Sequence, residues 1–338
     1  MSIRIGIFGD MGCESAQIDT VIYSDPFQYI RKWMKSLDYR VANLETTFSG
    51  YESDYPKFSS SDIFARYLRE KFDLLFTANN HSYDGGLSGV IRTVETLRKY
   101  GILNIGTGVP GSPQIYHSDI LNGHRIGFLN YVTSVNGEKS KQADGIFADV
   151  DPKKVPEGTI NFYSETQIKK EIALASTWSQ LIISGIHQRD IKKVKEFGHE
   201  TTKEQVQQLE QVLDFGSTIV LGGHPHDFQG GRIHSDDRLV VYSLGNFYSC
   251  MTNKKYPVNS GCALVITVEG GSKRYSFLPL CTCKVGKFYY VFPMSHVLTG
   301  SYPISKEQVE LVSQKLQKIR QILTECSLEE EIVPAELL

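Results

Sequence analysis

Cysteine is scarce and scattered in this 338-residue chain. Cys13, Cys250, Cys262, Cys281, Cys283 and Cys326 include no C-x-x-C pair, which excludes the thiol motifs of zinc knuckles and redox sites and predicts reduced thiols. Long apolar runs are missing too. Stretches such as "LVVYSLGNF" fall far short of the roughly 18–20 residues that a membrane span needs. Charge of one sign is not in excess: 36 Lys and Arg face 38 Asp and Glu, a net charge of −2. That balance excludes the basic field required by nucleic acid or an anionic membrane surface, and points to a small-molecule or polymer-precursor substrate. The opening "MSIRIGIFGD" has no charged n-region and no cleavage site before its first strand, which predicts a cytoplasmic chain without a signal peptide. There is no internal repeat, no low-complexity tract and no P-loop pattern.

What the chain does have is alternation. In the first half, "IRIGIFG", "YRVANLE" and "FDLLFTANN" are strand-like, and each leads to a helical pattern: Phe27 to Leu37, Asp62 to Lys71, and Leu87 to Tyr100 with Gly101 at its C′ position. This argues for βα units and a largely parallel sheet, an α/β fold. Asn122-Gly123 between two apolar runs predicts a type I′ hairpin. The polar segment 135–161 predicts a loop, and Ser164 with Gln167 a capping box opening a helix that runs to about Thr177. "SQLIISGIH" and "STIVLGGHPH" are strands around a helix from Thr202 to Phe215, and from Asp227 to about Phe292 the chain alternates as strands with a turn at Gly270-Gly271. A last helix, Ser305 to about Cys326, carries Val309, Val312, Leu316, Ile319 and Leu323 at helical spacing. The expected organisation is one domain over residues 1–300, with 301–338 a helical extension packed on it.

Five apolar runs end, at their carboxyl side, in a metal-capable residue: Asp10, Glu45, Asn80 with His81, His187, and His224 with His226. Taken singly, each has a plain reading as a turn or a strand end. Together they predict one crevice, because the carboxyl ends of neighbouring strands in α/β sheets share one. A shared carboxylate can bridge two ions, and mixed nitrogen and oxygen donors suit Mn, Fe or Zn better than Ca. Two such ions about 3.5–4 Å apart serve in-line displacement at phosphorus. Because two side chains at i and i+2 in extended backbone point the same way, and Pro225 favours extended backbone at His224, both imidazoles are expected to project from one strand end.

"GDMG", "ANLET", "TANNHSYDGG", "GGHPHDFQG" and "VYSLGNF", in that order, resemble the motifs of the CapA family of capsule (poly-γ-glutamate) synthesis proteins, a branch of the calcineurin-like metallophosphoesterases. The resemblance spans residues 3 to about 250. It implies a four-layer αββα sandwich with two divalent transition metals at one sheet edge. Asp10 and His226 would bind the first metal, Glu45 would bridge both, and Asn80, His187 and His224 would bind the second, with His81 beside the substrate as general acid or charge stabiliser. Asn79, Arg189 and Asn246 are assigned to the substrate. Arg189 is an anion binder or a solvated member of "RDIKKVKE", and Asn246 either hydrogen-bonds the site loops or ends its strand.

Two departures stand out. Gly12 occupies the position where phosphoesterases carry the histidine of D-x-H, so the first metal lacks a ligand, with water, Cys13 or Glu14 as substitutes. "HQRD" replaces the family's H-W-G-x-E. The reading is therefore a metal-dependent hydrolase of phosphoester, or related amide or acyl, bonds in capsule or surface-polymer metabolism. The alternative is a non-catalytic accessory protein that binds a polyanionic glycan or poly-γ-glutamate and assists a synthase.

Overall fold

The computed structural model describes residues 2–112, 117–139, 147–189, 197–249, 258–300 and 302–337. The first strand, Ile3–Met11, is buried along nearly its whole length and apolar between Arg4 and Asp10, because both of its faces are covered. Ile3, Ile5 and Ile7 face a core between two sheets, while Phe8 faces a layer of helices with Trp33, Phe64 and Leu68. Parallel neighbours Tyr39–Leu44, Leu74–Phe76 and Leu103–Ile105 extend this sheet on one side. Antiparallel Asn259–Glu269, Ser272–Val285 and Phe288–Pro293 extend it on the other.

The second sheet runs Phe228–Ile233, Leu239–Leu244, Ile219–Gly223, Leu181–His187, His124–Val132, His117–Leu121, with its four central strands parallel. Phe128, Ile183, Leu221 and Val241 meet Ile5, Val41, Leu74 and Phe76 of the first sheet in the central core. Ile168, Ile172, Leu209 and Val212 of two helices, Glu165–Ser176 and Lys203–Asp214, cover the outer face of the second sheet. The layers are therefore helix, sheet, sheet, helix, the αββα sandwich expected.

The helix Lys306–Glu325 is capped by Ser305, whose Oγ accepts from the Gln308 N–H at 3.3 Å. Its stripe of Val312, Leu316, Ile319, Ile322 and Leu323 belongs to the central core itself. Past it, Glu329–Glu330 adds to the first sheet beside Ser276 and Phe277.

Several local expectations need correction. The helix expected from Phe27 to Leu37 is only Arg31–Lys35, and an unexpected one, Ile18–Tyr23, precedes it. The break is chemical: the residue before Pro26 is disfavoured in helix, and Asp25 Oδ1 accepts the Phe27 N–H at 2.9 Å. Within the expected loop 135–161, Asn136–Lys139 pairs with Phe147–Asp149, while residues 140–146 lie outside the described residues. Ser164 is the N-cap of its helix but its side chain makes no cap hydrogen bond, and Gln167 turns to Glu171 instead. Reciprocal capping boxes lie instead at Thr202 with Gln205 and at Glu14 with Gln17. Both glycine turns are as expected, with positive φ at Asn122, Gly123, Gly270 and Gly271.

Candidate metal centre

The five strand ends do not belong to one sheet. Those ending near Asp10, Glu45 and Asn80 lie in the first sheet, and those ending at His187 and His224 in the second. Because the parallel strands of the two stacked sheets finish on the same side, their polar ends converge. Asp10 sits where the first strand slips register against both of its parallel neighbours, an irregularity of the kind that re-aims a side chain. Glu45 follows its strand directly, with its N–H donating to Met11 O at 2.8 Å.

The chain crosses from the second sheet to the first at Gly245. Its φ is +74°, and a Cβ there would lie 2.9 Å from Asp227, Phe228 and Ser260 backbone atoms. A Cβ on Gly9 would lie 1.9 Å from Gly245 O, which accepts the Asp10 N–H at 2.9 Å. This crossing sets Asn246 opposite Asp10.

The H-P-H turn departs from expectation. The strand ends at Gly223, and both histidines lie in the left-handed region, His224 at φ 101° and His226 at φ 60°. Backbone contacts over-determine this strained loop: Gly223 O accepts from Gln188 N, Pro225 O from Phe197 N at 2.7 Å, and His226 O from Asn246 N. The two imidazoles converge because the turn folds back, not because they alternate along a strand.

Glu45 stands between two donor sets. Its Oε1 is 3.3 Å from His187 Nε2, which is 2.7 Å from Asn80 Oδ1. Its Oε2 is 3.6 Å from His226 Nδ1, which is 3.3 Å from Asp10 Oδ2. His224 completes a cluster with Glu45 and His226 whose ligand atoms lie within 4.8 Å of one another, and its ring centroid is 5.4 Å from that of His187. The six residues Asp10, Glu45, Asn80, His187, His224 and His226 are each 5% exposed or less.

Burying carboxylates and imidazoles together is costly unless their lone pairs are satisfied. Asp10 Oδ2, Glu45 Oε1 and His224 Nδ1 are buried with no hydrogen-bond partner. Burial, then the charges of His187, His226 and Arg189, pushes the His224 imidazole well below its ordinary range, so it stays a neutral donor. Burial also acts to raise Asp10, but His226, His187 and the Asn43 hydrogen bond override it and hold the carboxylate below its ordinary value. Unprotonated nitrogen and ionised oxygen with unfilled lone pairs are what divalent transition metals take, so these residues fit the ions the sequence implies.

Around the candidate ligands lies a shell in which Asn43, Asp84 and Asn136 join Asn79 and His81. Asn79 Nδ2 donates to Asn43 Oδ1 and Leu44 O, and Asn43 Nδ2 donates to Asp10 Oδ1 at 2.7 Å. Both amide protons of Asn79 are thereby engaged, so it positions Asp10 through Asn43 and has none left for a substrate. Asp84 Oδ2 is 2.6 Å from His81 Nδ1 and accepts the Phe58 N–H, and Asn136 Nδ2 is 3.2 Å from the same ring nitrogen. Burial acts to lower the His81 pKa, but the Asp84 carboxylate overrides it and raises it. The signal for Asp84 was its i+3 spacing from His81; Asn43 and Asn136 carried none.

Arg189 donates to Ser134 Oγ at 3.3 Å and is near enough to perturb His224. The rest of "RDIKKVKE", residues 190–196, lies outside the described residues. Gly12 borders a cleft of about 310 Å³ with Asp10, Glu45 and Asn246, and a Cβ on it would meet nothing closer than Glu45 O at 3.8 Å. Cys13 lines the same cleft, but burial pushes its thiol up, away from the thiolate a metal would need.

Among curated proteins, the chain is 27% identical to "PGA biosynthesis protein CapA" of Bacillus subtilis (strain 168), covering 65% of this chain and 56% of that one. It is 22% identical to "Capsule biosynthesis protein CapA" of Bacillus anthracis, covering 65% of this chain and 53% of that one. The chain thus spans about half the length of the curated relatives it matches. A solved 2,3-dimethylmalate lyase overlaps with a TM-score of 0.23 at 12% identity, over 65% of this chain and 59% of that one, too little to carry an argument. No helix among the described residues is long and apolar enough to cross a membrane. Residues 5–251, which hold every ligand candidate at the convergent strand ends, match the family described as "Bacterial capsule synthesis protein PGA_cap", and the chain belongs to that family.

Proposed function

We propose that this protein is a metal-dependent hydrolase acting on phosphoester, or related amide or acyl, bonds in capsule or surface-polymer metabolism. One observation carries the reading: the two carboxylate oxygens of Glu45 face separate donor sets, Asn80 and His187 on one side, Asp10 and His226 on the other. A residue so placed can bridge two Mn, Fe or Zn ions, which when bound supply Lewis acidity and a nucleophilic water at neutral pH.

The chain's own groups do the rest. Asn43 and Asn79 hold Asp10 in position, and the strained H-P-H turn fixes His224 and His226. Asp84, itself pinned by the Phe58 N–H, holds the His81 ring through Nδ1, leaving the Nε2 proton for the departing oxygen. Arg189, at the edge of the site, pairs with an anionic group of the substrate.

The names of the relatives speak of biosynthesis, not hydrolysis, and this favours a second reading in which the site binds a polyanionic polymer and assists a synthase. A panel of phosphomonoesters and phosphodiesters assayed with Mn²⁺, Fe²⁺ and Zn²⁺ against a chelated control separates the two. Turnover that chelation abolishes and His81→Ala depresses supports the hydrolase. Polymer binding that survives chelation, with no turnover under any metal, supports the accessory role.

A further inference from the structure

We infer that Asn246 is a ligand of the first donor set, its Oδ1 completing the coordination that Gly12 leaves short. The inference rests on the two-ion reading of the centre. Asn246 Oδ1 lies 3.0 Å from His226 Nδ1, the nitrogen that is 3.3 Å from Asp10 Oδ2 and 3.6 Å from Glu45 Oε2. Ligand atoms about 2.1 Å from one divalent ion sit about 3.0 Å apart when cis in an octahedron and about 3.4 Å apart in a tetrahedron. Each of the three oxygens therefore stands at or near the spacing from His226 Nδ1 that ligands of one coordination sphere have.

Proton counting points the same way. His226 Nδ1 can carry one hydrogen and so can satisfy one of three converging oxygens, and Asp10 Oδ2 accepts no hydrogen bond at all. A cation satisfies all of them at once. The amide is also oriented from behind: Asn246 Nδ2 donates to Asn259 Oδ1 at 3.0 Å, and Asn259 Nδ2 donates to Ser249 O at 3.1 Å. A backbone carbonyl at the end of that relay accepts only, so both amides are fixed and the oxygen of Asn246 is the atom turned toward His226.

Each ion would then have one asparagine oxygen, Asn80 in the second set and Asn246 in the first. The sets differ in hardness: the first has three oxygens and one nitrogen, and the second draws on Glu45, Asn80, His187 and His224.

The test uses Mn²⁺ alone on the full chain. Anomalous diffraction from Mn²⁺-soaked crystals should place two ions, the first with Asn246 Oδ1 within about 2.4 Å, the range of a metal–oxygen bond. Equilibrium dialysis should show two ions on the wild type and one on Asn246→Ala at a Mn²⁺ concentration that just saturates the wild type. A first ion bound by Asp10, Glu45 and His226 with Asn246 Oδ1 beyond about 3 Å, or two ions retained by Asn246→Ala, overturns this inference and leaves the two-ion reading standing. No ion at either set overturns both.

Discussion

At the carboxyl edge of the two sheets, six polar side chains are buried beside one another, and three of their atoms, Asp10 Oδ2, Glu45 Oε1 and His224 Nδ1, have no hydrogen-bond partner. Along the flank covered by Lys306–Glu325, five aliphatic side chains are buried and Ser305 caps the helix start. The edge also carries the strained backbone of His224 and His226, while the helix, Lys306–Glu325, runs uninterrupted for five turns of ordinary geometry. Unsatisfied buried polar groups cost about 1–3 kcal/mol each, and they persist where a bound group compensates. On the proposed reading, the contrast teaches that the edge is built to hold ions and the flank to supply stability.

Substitutions can break or sharpen that contrast. The largest effect is expected at the edge: His81→Ala should lower turnover of a chromogenic phosphoester about 10²–10⁴-fold, with metal content by elemental analysis unchanged and the thermal midpoint lowered, because the buried Asp84 carboxylate loses its imidazole partner. On the flank, Leu316→Ala should cost about 2–5 kcal/mol in urea unfolding while the surviving folded fraction keeps its metal. Gly245→Ala should blur the contrast, because the residue joins the two sheets at φ +74° directly beneath Asn246. Its expected cost is about 1–3 kcal/mol of stability together with weaker Mn²⁺ binding. Ser305→Ala should be mildest, about 1 kcal/mol by the same unfolding measurement, with turnover unaffected.

Much of the edge was legible in the sequence for a simple reason. Strand ends announce themselves by the switch from apolar to polar residues, and Asp10, Glu45, His187 and His224 each stand at such a switch. The distribution of those strands between two sheets was not legible, since a run such as "LIISGI" is equally apolar in either. Nor was the conformation of the H-P-H turn. Pro225 biases its predecessor toward extended backbone, and only tertiary contacts, through Gln188, Phe197 and Asn246, hold His224 at φ 101°. The shell of Asn43, Asn136 and Asn259 escaped because an asparagine in a loop or strand has turn chemistry as its ordinary explanation. The helix Ile18–Tyr23 escaped because its six residues are too few to show a period.

The central claim is that Glu45 serves both donor sets. Titration of metal-free wild type and Glu45→Ala with Mn²⁺, followed by metal-to-protein ratio, tests it most directly. The account predicts two ions on the wild type and a weakening of both in the variant. A variant that loses one ion and keeps the other at unchanged affinity, or a wild type that binds none, would contradict it.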